Sequence, residues 1–172
     1  MNDSFHIPKA PLFPTALRYG VIISGVGIVF TIILYLMDMD TSTLAQVLGY
    51  LVLIGGILVG ILDYRDNVNE GVIQYGRAIG LGVLIAVVAA FILGIFSIVY
   101  MEFINLEMRE QILLQQEDQF IEQGMPDEQI EAALDFTRML LQPLFMVPLS
   151  IIIYTFVGAL TSSIAGFFIK TD

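Results

Sequence analysis

Long apolar runs alternate with polar segments along most of the chain. Apart from Arg18 near the start of the first run, these runs contain no Asp, Glu, Lys, Arg or His, and they cover Leu17–Met37, Leu44–Leu62, Ala78–Met101 and Leu144–Ile169. A helix needs about 20 mostly apolar residues to cross the roughly 30 Å hydrocarbon core of a bilayer. A helix also satisfies its own backbone hydrogen bonds there. The pattern therefore predicts an all-α, polytopic membrane protein with four transmembrane helices.

The longest polar segment, residues 102–142, has a helical pattern of its own, interrupted at residues 124–126. Residues at helical spacing flank this break: Leu106, Leu113 and Phe120 before it, and Ile130, Leu134, Thr137 and Leu141 after it. Such spacing is typical of amphipathic helices. We therefore expect one domain over residues 1–172, in which residues 102–142 form an extracytoplasmic helical hairpin between the third and fourth spans.

Proline and glycine predict where the helices begin, bend and end. Because the residue before a proline disfavours the helical conformation, the first helix is expected to begin after Pro14. Gly71 and Gly76 are expected to break helical structure in the polar loop at residues 63–77. Pro148 lacks a backbone N–H group and predicts a kink in the fourth span.

Basic residues are concentrated on one side of the predicted membrane. Five of the seven lie in or beside the N-terminal segment, the loop between spans 2 and 3, and the C-terminal segment: Lys9, Arg18, Arg65, Arg77 and Lys170. By contrast, 12 of the 17 acidic residues lie in the other two polar segments. Since Lys and Arg are retained on the cytoplasmic side, we expect both termini in the cytoplasm.

The reactive side chains give no support for catalysis or coupled transport. The chain has no Cys, and its one His, His6, lies in the polar N-terminal segment. It contains no G-x-S-x-G, H-E-x-x-H or P-loop motif. An ion-coupled transporter places ionisable groups deep in its spans, whereas these spans are apolar. We therefore expect no catalytic residues, no metal site and no cofactor.

Small residues at four-residue spacing mark three places where helices can approach closely. The pairs are Gly56 with Gly60, Gly76 with Gly80, and Ser162 with Gly166. Lipid supplies no hydrophobic drive between helices, so association depends on close packing. We assign these residues to helix packing, either within the bundle or against a partner subunit.

The few polar side chains in the fourth span have expected partners. Thr155, Thr161, Ser162 and Ser163 should bond to backbone carbonyls one turn earlier in their own helix rather than bind a substrate. Tyr154 lies well inside the span, and its hydroxyl should find a partner on a neighbouring helix.

Three arginines lie near the cytoplasmic ends of the first three spans, each close to a tyrosine. The set comprises Arg18, Arg65 and Arg77, with Tyr19, Tyr64 and Tyr75. Arginine forms forked hydrogen bonds to phosphate, and basic pockets between helices bind lipid head groups. We hypothesise one anion-binding cluster for a lipid phosphate or a partner. The alternative is three separate topology anchors whose guanidinium groups reach the interface.

Acidic residues share one flank of the second half of the hairpin: Asp127, Glu128, Glu131 and Asp135. Like charges at four-residue spacing repel one another, and a divalent cation or a basic partner would relieve that repulsion. A solvated acidic face is the reading that the pattern favours.

Three motifs resemble a bacterial membrane family catalogued as domain of unknown function 4199. They are Ala16-Leu17-Arg18-Tyr19-Gly20, the segment from Gly71 to Gly80, and Tyr100-Met101-Glu102-Phe103-Ile104-Asn105. Their order, the acidic insertion and the chain length match as well, whereas Leu106 replaces a proline. The resemblance implies four transmembrane helices in a bacterial inner membrane, and it implies no activity.

Glycine-lined helices, apolar spans and the lack of a catalytic motif favour a non-enzymatic function. We expect an accessory or scaffold subunit that packs against a larger membrane enzyme or assembly. The alternative is a small lipid- or small-molecule-binding or transport protein. The expected partners are the lipid bilayer and either another membrane protein or a second copy of the chain, with no nucleic acid.

Overall fold

The computed structural model describes residues 10–39 and 42–170. His6, Lys9 and Asp40 lie outside this part of the chain. Within it all regular secondary structure is helical: α1 Phe13–Leu36, α2 Thr43–Asp63, α3 Tyr75–Val99, α4 Met108–Glu122, α5 Asp127–Leu140 and α6 Pro143–Ile169. The all-α class is therefore confirmed for the described residues.

Four helices are long and apolar enough to cross a membrane. They are α1, α2 with its extension to Val68, α3 with its extension to Ile104, and α6, and they contain 24 to 30 residues each. At 1.5 Å per residue, the shortest of them is about 36 Å long. The prediction of four spans is confirmed at this level.

The extensions of α2 and α3 share a design that the sequence analysis missed. Each is a π-helical segment that begins with tyrosine and leads into asparagine: Tyr64 to Asn69, and Tyr100 to Asn105. In both, the asparagine N–H donates to the tyrosine carbonyl five residues earlier, at 2.9 and 2.8 Å respectively. Both asparagines are buried. Each extended helix therefore ends in a wide π-helical turn. The backbone N–H of a buried asparagine closes this turn with a hydrogen bond.

Helix α3 forms the centre of the bundle. It packs most extensively against α6 and α1, and less against α2. In its most apolar stretch 39% of the residues are buried, against 6% in α6. Leu81 and Ile85 of α3 join Ile57 and Ile61 of α2 in the fully buried core. Few residues of α6 are therefore fully buried, although α6 is the main neighbour of α3.

Contacts between distant residues define two ends of the bundle. At one end, the terminal end, Ala10 contacts Asn69, and Arg65 contacts Ile169. At the other, the α4–α5 end, the ring of Tyr35 at the end of α1 packs edge-on against Tyr100 at 5.9 Å. Helices α4 and α5 follow α3 at that end.

Helices α4 and α5 pack against each other and only sparsely against the rest of the bundle. Ile130 and Leu134 are the buried residues of α5, and α4 has none. The Thr137 hydroxyl donates to the side-chain oxygen of Gln116 at 2.7 Å across the pair. Leu106 lies before α4 and is 72% exposed, so its assignment to the apolar face of this helix was wrong.

Two predicted helix boundaries were also wrong. Helix α1 begins at Phe13 and includes Pro14 in its first turn, where a missing N–H costs nothing because no intrahelical acceptor exists. Gly76 lies inside α3, and the loop before it covers only residues 69–74. Gly71 does break the chain there, with a φ of 81°.

Candidate functional site

A buried polar network at the terminal end surrounds the first candidate residue, Arg77. Arg77 lies in the first turn of α3, and its guanidinium donates to the carbonyl of Ala10 and to the hydroxyl of Tyr64. The Tyr64 hydroxyl in turn donates to the Ala10 carbonyl at 2.5 Å. The Tyr64 side chain is fully buried, and the Arg77 carbon Cζ lies 5.7 Å from the centre of its ring. These bonds join the segment before α1 to α2 and α3.

Asn69 completes this network, although the sequence analysis did not single it out. Its side-chain oxygen accepts from the Ala10 N–H at 3.1 Å, and its amide nitrogen donates to the Val72 carbonyl at 2.6 Å. The residue is fully buried. A buried amide has to be hydrogen-bonded because an unsatisfied one costs about 1–3 kcal/mol. The signal available in the sequence was the repeated Tyr-x4-Asn spacing.

The other two arginines have partners of their own. The Arg18 nitrogen Nη1 lies 3.5 Å from the Asp63 carboxylate, and the Arg18 side chain is 65% exposed. Arg65 binds Asp66 through two nitrogens at 2.6 and 3.1 Å, and it also donates to the Ile169 carbonyl at 3.5 Å. Exposed ion pairs such as these typically contribute about 0–1 kcal/mol. They do little to fix the arginines for a single ligand.

The structure therefore gives Arg18, Arg65 and Arg77 three different sets of partners. Groups of the chain itself occupy the guanidinium of Arg77 and the hydroxyl of Tyr64. The binding of a shared phosphate by this set stays a prediction.

The two tyrosines assigned to the same cluster lie in different environments. Tyr19 is buried against Gly60 of α2, and its ring lies 5.5 Å from the Arg18 carbon Cζ. Tyr75 is 41% exposed and packs against Gly166 of α6. Both tyrosine rings therefore pack against glycines of neighbouring helices, Gly60 and Gly166.

Four of the six predicted packing residues lie at helix contacts within the bundle. A Cβ atom at Gly60 would be 2.7 Å from Ile85 and 3.0 Å from Tyr19, and one at Gly56 would be 2.3 Å from Ile23. Ser162 lies against Gly82 of α3, and a Cβ atom at Gly166 would be 3.2 Å from Tyr75. These residues let α2 approach α1 and α3, and let α6 approach α3.

Gly76 and Gly80 are less crowded. A Cβ atom at Gly76 would have no neighbour within 4 Å, and one at Gly80 would lie 3.6 Å from Leu12. Among the described residues this pair forms no close helix contact. Whether it packs against a partner stays a prediction.

The polar residues of the fourth span show one departure from expectation. Ser162 and Ser163 donate to carbonyls one turn back, at 2.5 and 2.7 Å, as predicted. The Thr155 hydroxyl is buried without a hydrogen-bond partner among the described residues. The Tyr154 side chain lines a cavity, and it interacts electrostatically with Tyr50 of α2. The prediction for Thr155 was wrong, and a hydrogen-bond partner for the Tyr154 hydroxyl on a neighbouring helix stays a prediction.

The acidic flank of α5 borders a crevice of about 310 Å³ between α4 and α5. Asp127, Glu131 and Arg138 line it, and Arg138 is paired with Asp135 at 2.6 Å. Within residues 10–39 and 42–170, no group of three or more His, Cys, Asp or Glu side chains could hold a metal ion.

An apolar groove of about 510 Å³ lies between α2 and α6 and extends toward the terminal end. Ile54 and Leu58 of α2 form one wall, and Leu160 and Phe168 of α6 are among the residues of the other. Arg65 bonds to the carbonyl of Ile169, which lines the end of the groove. A hydrocarbon chain would fit this apolar groove. The basic side chain of Arg65 lies at the end of the groove nearer the terminal end of the bundle.

The four apolar helices define the chain as a multi-pass membrane protein. The family described as "Protein of unknown function (DUF4199)" matches residues 18–171. The chain belongs to this family, as its motifs indicated. No curated protein and no solved structure matches it.

Proposed function

We propose that this protein is a non-enzymatic accessory or scaffold subunit that packs against a larger membrane enzyme or assembly. The observation that carries the proposal is exposed apolar surface on α4 and α5, beyond the four spans. Leu114, Ile121 and Phe136 are 54%, 57% and 57% exposed. Outside the hydrocarbon core no lipid tails cover such residues, and burial of each side chain stabilises a complex by about 1.5–3 kcal/mol at most.

The charge of α4 and α5 indicates the chemistry of the partner. Their acidic residues greatly outnumber their basic ones, and Arg109 and Arg138 are already paired with Glu102 and Asp135. Electrostatic complementarity then favours a partner surface with an apolar centre and a basic rim.

We further infer that α4 and α5 form an extracytoplasmic hairpin, and that both termini face the cytoplasm of a bacterium from its inner membrane. The location of the basic residues at the terminal end supports this orientation. The family resemblance supports the bacterial inner membrane. The partner is accordingly expected to present its basic rim outside the cytoplasm.

Affinity purification from native membranes in a mild detergent tests the proposal. We expect a stoichiometric protein partner to co-purify with the wild-type chain. Ile121→Ser should reduce the recovery of that partner at least about tenfold if the side chain is buried in the contact, since about 1.4 kcal/mol corresponds to a factor of ten.

Glu122→Ser is the matched control, because Glu122 is the next residue and is also exposed. It should leave the recovery within about twofold of wild type, which is under 0.5 kcal/mol. A monodisperse protein without a stoichiometric partner, or equal recovery with both variants, would contradict the proposal.

The groove between α2 and α6 favours a second candidate function, the binding of a lipid. A lipid tail would lie along Leu58 and Leu160, and an anionic head group would contact Arg65. In that case purified protein would retain anionic phospholipid, and Arg65→Gln would lower the amount retained. Arg18→Gln, at an exposed arginine that does not border the groove, is the control.

A further inference from the structure

An open-sided cavity of about 200 Å³ lies between the four spanning helices, in the half nearer the α4–α5 end. Residues of all four spanning helices line it, including Phe30 of α1, Gly49 of α2, Phe96 of α3 and Tyr154 of α6. An apolar cavity of about 150 Å³ is large enough to bind benzene. This cavity therefore has the size of one six-membered ring with a small substituent.

Aromatic side chains form much of its wall. Phe30, Phe96, Tyr100 and Tyr154 line the cavity, and the rings of Phe96 and Tyr100 lie 5.9 Å apart. Aromatic pairs prefer tilted or offset arrangements at this separation. A flat ligand would find ring faces and edges from α1, α3 and α6 around it.

Two polar side chains at the cavity have unused hydrogen-bonding capacity. Among the described residues the Tyr154 hydroxyl and the exposed Gln46 amide form no hydrogen bond, although Tyr154 interacts electrostatically with Tyr50 of α2. The hydroxyls of Thr31 and Ser97, which also line the cavity, already form hydrogen bonds. They donate to the backbone carbonyls of Gly27 and Leu93, each at 2.9 Å. A bound ligand with an oxygen atom would give the Tyr154 hydroxyl a hydrogen bond.

Gln46 also indicates how a ligand reaches the cavity. It lines both the cavity and a separate crevice of about 370 Å³, where α2 faces Met108 and Gln115. The two spaces therefore share one side chain as a wall. Because Gln46 is exposed, the cavity adjoins the α4–α5 end at this side chain.

We propose that this cavity is a binding site for a single-ring compound that carries a hydrogen-bonding oxygen, of the phenol class. The ring lies between Phe30 and Phe96, and the oxygen bonds to the Tyr154 hydroxyl. The site is separate from the surface that we assign to a protein partner, and it does not depend on that assignment.

Fluorine NMR with 4-fluorophenol tests the site on the full-length protein in lipid nanodiscs. Because the probe also partitions into lipid, nanodiscs without protein serve as the reference. We expect a saturable change in the fluorine signal that appears only with the protein. A signal identical to that of the reference at every probe concentration would overturn the proposal.

Gly49→Leu is expected to block the site. A Cβ atom at Gly49 would have no neighbour within 4 Å, and the residue lines the cavity, so the larger side chain enters open space. Gly55→Leu is the matched control, since Gly55 lies on the same helix with equally open space and does not line the cavity. Loss of saturable binding with Gly49→Leu alone supports the site, and binding that survives Gly49→Leu overturns it.

Tyr154→Phe isolates the hydrogen bond and is too small a change to prevent folding. It should weaken the binding of 4-fluorophenol about 3- to 10-fold, as expected for one net hydrogen bond. Fluorobenzene, which lacks the oxygen, should bind the variant and the wild type equally. An unchanged affinity for 4-fluorophenol would overturn the assignment of a hydrogen-bonding ligand.

Discussion

At the scale of single residues, the firmest chemical feature is the network around Asn69. Its amide bonds to Ala10 and Val72, and Tyr64 and Arg77 converge on the same Ala10 carbonyl. The network holds the segment before α1 against the loop that follows α2. Its role is to fix the terminal end of the bundle.

Replacement of Asn69 by alanine should therefore destabilise the protein. We expect a loss of about 1–3 kcal/mol in the free energy of unfolding, because the Ala10 N–H and the Val72 carbonyl lose their partner. Unfolding by SDS in mixed micelles, followed by circular dichroism, measures this change. Asn67→Ala is the control: the Asn67 side chain is exposed and donates to Asp63 at the surface, so its effect should stay within about 0.5 kcal/mol. Equal losses in the two variants would contradict the role of the network.

The sequence revealed the arginines but not what they contact. Arg77 was recognisable as a basic residue at the start of a span, because charge and position are local properties. Its acceptor is the carbonyl of Ala10, 67 residues away, and every residue has such a carbonyl. No pattern along the chain distinguishes the Ala10 carbonyl from the others. The hypothesis of a shared anion requires the three guanidinium groups to lie close together in the fold. The sequence alone does not give the distances between them.

At the scale of elements, the spans were predictable and their ends were not. A run of about 20 apolar residues meets a physical requirement that few other structures meet. The ends depend on finer effects, such as a proline tolerated at the start of α1 or the π-helical turns that close at Asn69 and Asn105. Those turns add helical residues beyond the apolar runs, so hydropathy alone places the boundaries too early.

Close packing between elements gives a prediction on α2. Gly60→Ala should destabilise the bundle by about 1–3 kcal/mol, because the new methyl group would overlap Ile85 and Tyr19 in a packed core. Gly55→Ala on the same helix meets open space, and it should be neutral or stabilise the helix by up to about 1 kcal/mol. The same SDS titration compares them. A Gly60→Ala variant as stable as Gly55→Ala would show that α2 does not pack closely at this position.

At the scale of the whole molecule, orientation is the first property to test. The chain has no native cysteine, so single cysteines report position cleanly. Glu122 at the end of α4 and Glu70 in the loop after α2 are both exposed. We expect an impermeant thiol reagent to label a cysteine at position 122, but not one at position 70, in intact cells. Labelling at position 70 but not at position 122 would show that the protein has the opposite orientation in the membrane.

The central claim is that α4 and α5 bind a protein partner, and in situ photocrosslinking tests it most directly. A photoreactive amino acid at Ile121 would sample whatever covers this side chain in the native membrane. We predict one protein adduct of defined mass at position 121, and little or none at Glu122. Adducts only with lipid, or no adduct at Ile121, would contradict the account.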